Sequence, residues 1–531
     1  MFRPFGNLVR LPDGRTLQKQ ANGVWIDVNS GVKMNDTMVG NLMYSSVFYG
    51  VPDGGVGKDT PRFVVGVAGS FTITNWLNDA KNGTDSVDFG WISDSNTARC
   101  NLPSCLVGNP RGMVDHWITA GISAGIKVYG TPIYFANKGA PAGYKSYGYQ
   151  TNPASNKGWT SGFTYGPPHL TNQYSSGGGA FSPNFDDTVN GGAAANLFAR
   201  DGYAWLPAGV TGFASDGPPQ HAIGFTGPFR DYGYTPPLTL RFLAGTTGNT
   251  GGLLPLYYYD ETGARWDMQK IPVTFTGGFT GHNIGLTGSF STNIGITNGI
   301  FISFLGQNAA GFWATGPVAV AMHSVFSKNV KGIASSIFFG ISGITLGGLH
   351  ANLTLAGTSG GNRTIINMLT EYHTRQKVAG GSGRVCINIL GGVNLDNGAT
   401  NAEKIQNSET NTRNIIDYVT QEWNNAGLPS DKLTFLVMNT WTTEVGSQWS
   451  TMLPTLVSNQ KTYFNDRSRN VTYVDMLTFA GTYAGLTAGD YYDKTSPSPG
   501  TAHLSNGLTG GYHYISYNIM SALLKQRNTN K

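Results

Sequence analysis

Residues 86–100 have the sequence SVDFGWISDSNTARC, in which an apolar run meets a polar turn. Residues 87–92 are mostly large and apolar, which is typical of a strand that is covered on both faces of a sheet. The run ends at Ser93 and continues as Asp-Ser-Asn-Thr, residue types that favour turns because their side chains hydrogen-bond the local backbone. Two interpretations of Ser95 follow: it belongs to a surface turn, or it is a nucleophile presented at a strand end.

A helix is predicted shortly after this turn, in MVDHWITAGISAGIKVYG at residues 113–130. A branched apolar residue recurs every four positions, and Gly130 supplies a stop signal. The recurring residues are Val114, Ile118, Ile122 and Ile126. A strand, a turn and a helix in this order predict the first β-α step of an α/β sheet.

The same alternation returns after residue 331. RVCINIL (384–390) and LTFLVMN (433–439) are near-continuous apolar strands, as expected in a parallel sheet with both faces covered. Two helical stripes accompany them, one closed by Gly427 and Pro429 and one at the end of the sequence. The stripes consist of Ile415, Ile416, Val419 and Trp423, and of Tyr512, Ile515, Ile519 and Leu523.

Residues 230–330 have a different pattern of apolar and polar residues. LTLRFLAG alternates apolar and polar residues with period two, and further strand-like runs follow at LPLYYYD, IPVTFTG, GIFISFLG and PVAVAMHSVF. Short strands with turn signals between them predict an antiparallel β-sandwich. Because β-α steps lie on both sides of it, we expect the sandwich to be an insertion in the α/β domain.

We therefore expect a three-layer α/β/α fold with four regions. Residues 1–84 form a short β-rich leader module with hairpin turns at Asp-Gly and Asn-Gly, and residues 85–229 begin the α/β domain and contain long Gly-rich loops. Residues 230–330 are the sandwich, which would suit carbohydrate binding, and residues 331–531 complete the α/β domain.

The composition excludes several classes of partner. Only 12% of the 531 residues are charged, against ~25% in an average soluble domain, and the net charge is +5 without a Lys/Arg block, so nucleic acid is not expected. No apolar run of about 18 residues occurs, and the N-terminus lacks a signal-peptide core, so neither a membrane span nor a signal peptide is expected.

Cofactor chemistry is not indicated either. Cys100 and Cys105 have a spacing that permits a bridge, and Cys386 lies in a predicted buried strand, but three cysteines make no disulfide framework and have no metal-site spacing. The histidines show no HExxH pattern. We therefore expect no metal and no cofactor.

Three further segments place reactive residue types at predicted strand ends. SSIFFGISGITLGG ends a strand at a glycine turn, where Gly343 is able to offer a backbone N–H. RVCINILGGVNLDNG ends a strand before Asn394, whose amide is a second donor. GTAHLSNGLTGG places His503 before the last helix. A nucleophile, two oxyanion donors and a base are what acyl transfer needs.

In this order the segments resemble the four blocks of the SGNH (GDSL) hydrolase family, over residues 85–135 and 331–525. The first block appears as SDSNT, with Ser93 in place of the family's leading glycine. The second appears as Gly340-Ile-Ser-Gly343, a close match. The third appears as Gly392-Val-Asn394, with Leu395 where Asp is usual and Asp one place later.

The fourth block keeps His503, but Gly500 occupies the position of the family's Asp. The resemblance implies that Ser95 attacks an ester carbonyl, that His503 is the general base, and that the Ser95 N–H, the Gly343 N–H and the Asn394 amide hold the oxyanion. Asp493 is then the best candidate to orient His503. Asp490 and a dyad without an acid are the alternatives.

Other residues compete for these roles. Ser70 follows the apolar run RFVVGVAG, and Ser324 lies in PVAVAMHSVF, which fits the last sandwich strand better. Gly360 in GTSGG is a rival of Gly343. His513, on the last predicted helix, is expected to be structural.

Resemblance to carbohydrate esterases implies hydrolysis of an O-acetyl ester on a polysaccharide, and some family members carry a β-sandwich between the first two blocks. The leader and the Gly-rich, weakly charged composition resemble those of bacteriophage tail-fibre and tailspike proteins. That resemblance implies a virion or extracellular location, docking onto other virion proteins through the leader, and a homo-oligomer such as a trimer. The alternative is an inactive glycan-binding or structural virion protein.

Overall fold

The computed structural model describes only part of the chain. The described residues are 8–10, 16–20, 24–28, 33–34, 66–94, 96, 112–133, 149–151, 182–184, 203–206, 223–225, 238–246, 251–260, 265–274, 280–286, 300–304, 318–340, 344–358, 364–441, 448–481, 483–489, 491–492, 503–505 and 510–526.

A six-stranded sheet forms the centre of the α/β region. Its strands are parallel except for the last, which is an antiparallel edge. Their order across the sheet is Ile333–Gly340, Val87–Ser93, Val385–Gly391, Leu433–Asn439, Val471–Val474 and Val67–Gly69. Every position of the three central strands is buried, which confirms the doubly covered strands predicted from their continuous apolar runs.

Helices cover both faces of this sheet. Alternate residues of Val87–Ser93 point to opposite sides: Trp91 packs edge-to-face on Trp117, whereas Asp88 pairs with Arg375. One layer contains helices Thr72–Asn82, Gly112–Ser123 and Gly511–Lys525. The other contains Leu346–Thr358, Thr364–Val378, Asn401–Asn425 and Gln448–Phe464, and two short helices, Met476–Ala480 and Tyr483–Ala488, follow the last parallel strand.

The helix Asn401–Asn425 begins and ends as its sequence dictates. Thr400 and Glu403 form a capping box, and the predicted apolar stripe is buried against the sheet. Gly427 follows in a left-handed conformation that few other residues adopt.

The helix Gly112–Ser123 ends earlier than expected. Gly130 was the predicted stop, but it instead begins the strand Gly130–Ile133. The stop is Gly125, which has a φ of 83° and donates its N–H to the carbonyl of Ile122 at 2.9 Å. The first glycine after the helix that takes a left-handed conformation ends it, although the apolar periodicity continues for one more turn.

Antiparallel strands occupy the region between the two parts of the α/β domain. One sheet contains Ser182–Asn184, Tyr203–Leu206, Leu238–Thr246, Thr280–Leu286 and Val318–Ser327, and Gly130–Ile133 pairs with the last of these strands. A second sheet contains Gly251–Asp260, Arg265–Thr274 and Ile300–Phe304. A third consists of Tyr149–Thr151 and Ile223–Phe225. All five strands predicted for residues 230–330 are present. Thr280–Leu286 escaped prediction because TGHNIGL has no alternating apolar pattern.

The chain enters and leaves the inserted region through neighbouring strands. Gly130–Ile133 pairs antiparallel with the end of Val318–Ser327, so that Ile133 lies opposite His323. A buried ion pair also links the two regions, because Arg241 of Leu238–Thr246 contacts Glu371 in the α/β domain through two bonds of 2.6 and 2.7 Å.

The N-terminal segment forms a four-stranded antiparallel sheet. Its strands, in spatial order, are Leu8–Arg10, Thr16–Lys19, Trp25–Asp27 and Lys33–Met34. Val67–Gly69 and the helix Thr72–Asn82 are instead part of the α/β layers, so this domain begins before the boundary predicted after residue 84. Among the helices of the described residues, none combines the length and apolarity needed to cross a bilayer.

Candidate active site

The carboxyl ends of three adjacent strands form one row. In the parallel registers, Gly340 and Leu390 both lie opposite Ser93, one on each side of it. Open α/β sheets place their sites at the carboxyl edge of the strands. The segments that follow these three strands are the first, second and third segments singled out in the sequence, so the sheet brings their starting points to one edge.

The turn after Ser93 is buried. Asp94 is 2% exposed and Asn96 is 1% exposed. The Asp94 carboxylate accepts hydrogen bonds from the backbone N–H and the side-chain amide of Asn96, at 2.9 and 3.0 Å from Oδ1. Ser95 lies outside the described residues, between these two buried neighbours in the sequence.

Burial also changes the acidity of this turn. Removal from water raises the pKa of Asp94 to about 6, although the hydrogen bonds from Asn96 oppose the change. Asp94 therefore loses its proton at a higher pH than a surface carboxyl group, whose pKa is near the ordinary value of 3.8.

The last helix packs directly on this turn. Tyr512 donates its hydroxyl hydrogen to Oδ1 of Asn96 at 2.9 Å. Its ring stacks on His116 at a centroid distance of 6.0 Å and meets Trp441 edge-to-face at 5.8 Å. The backbone carbonyl of Asn96 also accepts the N–H of Met113 at 2.9 Å. Two helices of the same layer, Gly112–Ser123 and Gly511–Lys525, thus both bond to Asn96 in this turn.

Asn394 joins the second and third segments. Its Nδ2 donates to the carbonyl oxygen of Ile344 at 3.0 Å. Ile344 follows Gly343, which lies outside the described residues together with the rival Gly360. An amide nitrogen has two hydrogens, so this bond leaves one for a further acceptor.

The two residues after Asn394 have structural roles. Leu395 packs against the hydrophobic core. Asp396 accepts the backbone N–H of Gly347 at 2.8 Å and so caps the helix Leu346–Thr358. The carboxylate displaced by one position from the SGNH pattern therefore serves the helix start.

His503 is held beside residues 491 and 492. Tyr492 and Leu504 form an antiparallel bridge, and the Ser505 N–H donates to the Tyr491 carbonyl at 2.6 Å. Ser505 accepts the N–H of Gly511 at 3.0 Å through its hydroxyl group. The segment carrying His503 is thereby tied to the first turn of the helix that contacts Asn96. Asp490, Asp493 and Gly500 lie outside the described residues.

The rival serines have other roles. Ser70 follows the antiparallel edge strand, and its Oγ accepts the Thr72 N–H at 3.1 Å at the start of a helix. Ser324 is 3% exposed and lies within the strand Val318–Ser327, opposite Arg241 of the neighbouring strand. Neither serine is at the end of a parallel strand.

His513 is buried on the last helix, where Thr119 Oγ1 lies 2.8 Å from its Nδ1. Burial lowers the pKa of His513 to about 4, so the ring is neutral near pH 7. In the part of the chain that the structure describes, no three His, Cys, Asp or Glu side chains are grouped as a metal ion would require.

Sequence reasoning missed the contact between Asn96 and Tyr512. Asn96 had been quoted only as part of the SDSNT turn, and Tyr512 only as part of the apolar stripe of the last helix. The available signals were an Asn in a turn, a residue type that hydrogen-bonds locally, and a Tyr at the predicted start of a helix.

No family model matches the sequence, and no curated protein matches it either. Among solved structures, the chain is similar to an acetyl xylan esterase from the rumen bacterium Butyrivibrio proteoclasticus, with 9% identity, 60% of this chain and 94% of that chain covered, and a TM-score of 0.20.

It is also similar to a xylan-binding domain from Paenibacillus barcinonensis, with 9% identity, 24% and 78% covered, and a TM-score of 0.17. A Clostridium thermocellum xylanase fragment with a CBM22 and a GH10 module gives 10% identity, 52% and 51% covered, and a TM-score of 0.18. These scores are too low to establish a shared fold.

Proposed function

We propose that this chain is a serine esterase of SGNH type, with a β-sandwich insert, that removes O-acetyl groups from a polysaccharide. The observation that carries the proposal is the row formed by Gly340, Ser93 and Leu390. The three segments that resemble the SGNH blocks begin at this row, which lies at the carboxyl edge of the parallel strands. Open α/β sheets have their active sites at this edge.

In the proposed reaction, Ser95 Oγ attacks the acetyl carbonyl carbon while His503 takes the hydroxyl proton. The carbonyl oxygen becomes an oxyanion, which the N–H groups of Ser95 and Gly343 and the amide of Asn394 stabilise. The sugar oxygen leaves with the proton from His503, and water then releases acetate from Ser95 by the same route. The Asn394–Ile344 bond supports this assignment, because it fixes the amide beside the residue that follows Gly343.

Asp493 is the proposed partner of His503. It follows Tyr492 in the sequence, and His503 precedes Leu504, so each is the direct neighbour of a residue in the antiparallel bridge. Consecutive Cα atoms are about 3.8 Å apart, which limits how far Asp493 lies from the bridge. Asp490 is two residues from Tyr492 on the other side and is the second candidate.

Active-site labelling tests the nucleophile. Wild-type protein is treated with a fluorophosphonate probe and assayed with p-nitrophenyl acetate beside Ser95→Ala. Ser70→Ala and Ser324→Ala are matched controls, because both serines follow or lie in apolar strands. We expect labelling and turnover to disappear in Ser95→Ala alone. Turnover that survives in Ser95→Ala would overturn the assignment.

Acetate release tests the substrate class. The wild type should release acetate from an O-acetylated polysaccharide, and Ser95→Ala should not. A folded wild type that binds the polysaccharide but neither labels nor releases acetate would favour the alternative, an inactive glycan-binding or structural protein.

The virion role is part of the proposal and rests on the Gly-rich, weakly charged composition. It predicts that antibodies to the chain label phage tails in electron micrographs. The proposed trimer is tested by sedimentation equilibrium of the full chain.

A further inference from the structure

Three side chains form a continuous hydrogen-bonded series that includes both sequence neighbours of Ser95, namely Asp94, Asn96 and Tyr512. The Asp94 carboxylate accepts from the amide nitrogen of Asn96 at 3.0 Å, and the amide oxygen of Asn96 accepts from the Tyr512 hydroxyl at 2.9 Å. The partners also fix the orientation of the Asn96 amide. The carboxylate of Asp94 only accepts hydrogen bonds, so the amide nitrogen of Asn96 faces it, and the amide oxygen faces Tyr512, whose hydroxyl donates.

All three side chains of the series are buried. Asp94, Asn96 and Tyr512 are each at most 2% exposed. The Tyr512 ring is held between His116 and Trp441, which limits its motion. Hydrogen bonds in such an environment compete little with water, so they restrain geometry more strongly than bonds on the surface.

We propose that Tyr512 is a positioning residue for the reaction of Ser95: with Asp94 it clamps Asn96 and so fixes the turn that carries the nucleophile. This inference rests on the proposed function. The clamp joins residues 416 positions apart, and Tyr512 belongs to the helix whose first turn holds the segment of His503. The hydroxyl group therefore sets the nucleophile turn relative to the base segment, a distance on which proton transfer depends.

The test is Tyr512→Phe, which removes the hydroxyl group and keeps the ring between its neighbours. We expect kcat for p-nitrophenyl acetate and the rate of fluorophosphonate labelling to fall about tenfold, with KM almost unchanged. Amide hydrogen exchange in the peptide covering residues 93–97 should become faster. Tyr517→Phe, on the same helix and stacked on His513, is the control and should change none of these values.

A double-mutant cycle separates the clamp from general destabilisation. If Tyr512 acts through Asn96, Tyr512→Phe should cause no further loss of labelling rate in an Asn96→Ala background. Losses that multiply would overturn the inference, and so would unchanged exchange at residues 93–97 in Tyr512→Phe. An unreactive wild type or a fully reactive Ser95→Ala would instead overturn the proposed function. The two failures are distinguishable, because hydrogen exchange needs no reactive serine.

Discussion

Asp94 gives the protein a pH dependence that a surface turn would not have. Its pKa is raised to about 6 in the fold, against 3.8 for an ordinary aspartate, so the folded state binds the proton more tightly than the unfolded state. The resulting stabilisation is complete below about pH 4 and is lost as the pH rises towards 6, on the order of 3 kcal/mol in all.

Asp94→Asn should therefore be more stable than wild type at pH 7.5, because its neutral amide oxygen still accepts from Asn96. The difference in melting temperature should shrink as the pH falls to 4. Thermal unfolding monitored by circular dichroism at both pH values measures it. A variant less stable than wild type at pH 7.5 would contradict the assignment.

Asp85 provides a control of opposite sign. Burial acts to raise its pKa, but hydrogen bonds from Ser382 and Ser86 and the charge of Arg384 lower it overall. Its contribution is present at neutral pH and is lost as the pH falls below the usual range of aspartate. Asp85→Asn should therefore destabilise the protein at pH 7.5.

At the scale of residues, the sequence predicts where a strand ends better than it predicts which distant side chains contact each other. The break from residues 87–92 to a polar turn identified the end of a strand, and this is confirmed by the strand Val87–Ser93. The contact between Asn96 and Tyr512 was not predictable, because a hydrogen bond between such distant residues depends on how the helix packs. The catalytic and oxyanion-hole roles stay predictions for all five residues, Ser95, His503, Asp493, Gly343 and Asn394.

At the scale of elements, a buried ion pair joins the strand Leu238–Thr246 to the helix Thr364–Val378. Glu371 and Arg241 are each at most 6% exposed, and Arg375 on the same helix makes a second bidentate pair with Asp88 at 2.5 and 2.8 Å. Burial raises the pKa of Glu371, although Arg241 opposes this change. The two pairs bring four charges of balanced sign into a place that water does not reach.

Removing one partner should be costly. We expect Arg241→Met to lower the free energy of unfolding by about 3–5 kcal/mol, because it leaves Glu371 buried without its counter-charge, and Arg241→Met/Glu371→Leu to recover most of the loss. Urea denaturation measures both. Asp431→Asn, which breaks the pair between Lys432 and a carboxylate that is 71% exposed, is the control and should cost at most about 0.5 kcal/mol. A double variant as unstable as the single one would contradict this account.

Periodicity located most elements, and glycine conformation decided one end. The strands Leu433–Asn439 and Val385–Gly391 agree with their apolar runs to within one residue. The helix Gly112–Ser123 stops just before Gly125 and not at the predicted Gly130, because Gly125 takes the left-handed conformation in the fold. Such choices lie beyond what a single sequence determines.

At the scale of the whole molecule, the inserted region has adjacent entry and exit points. Ile133 lies opposite His323 in an antiparallel pair, so a two-residue Asn-Gly turn is long enough to replace residues 134–322. With Glu371→Gln to remove the orphaned charge, we expect the remaining chain to fold and unfold cooperatively.

Thermal unfolding of this excision variant, beside the same variant with Glu371 retained, measures the effect. The version with Glu371 should melt at a lower temperature at pH 7.5. Aggregation or non-cooperative melting of both versions would show that the α/β layers depend on the insert. The antiparallel strands between the β-α steps were predictable from their period of two, and the insertion of a β-sandwich as a separate domain stays a prediction. The apolar run RFVVGVAG was visible before Ser70, but the sequence does not say which sheet a short edge strand joins, so residues 66–84 were assigned to the leader.

The strand Val87–Ser93 has both of its sheet neighbours far downstream, in Ile333–Gly340 and Val385–Gly391. During translation at roughly 5–20 residues per second, it leaves the ribosome some 10–50 s before the first of these neighbours is made. Phe89, Trp91 and Ile92, each fully buried in the finished protein, have no sheet to enter during that interval. Synthesis of this chain in a heterologous host should therefore depend on chaperones that shield nascent apolar segments. Growth at a lower temperature alone should not remove that dependence.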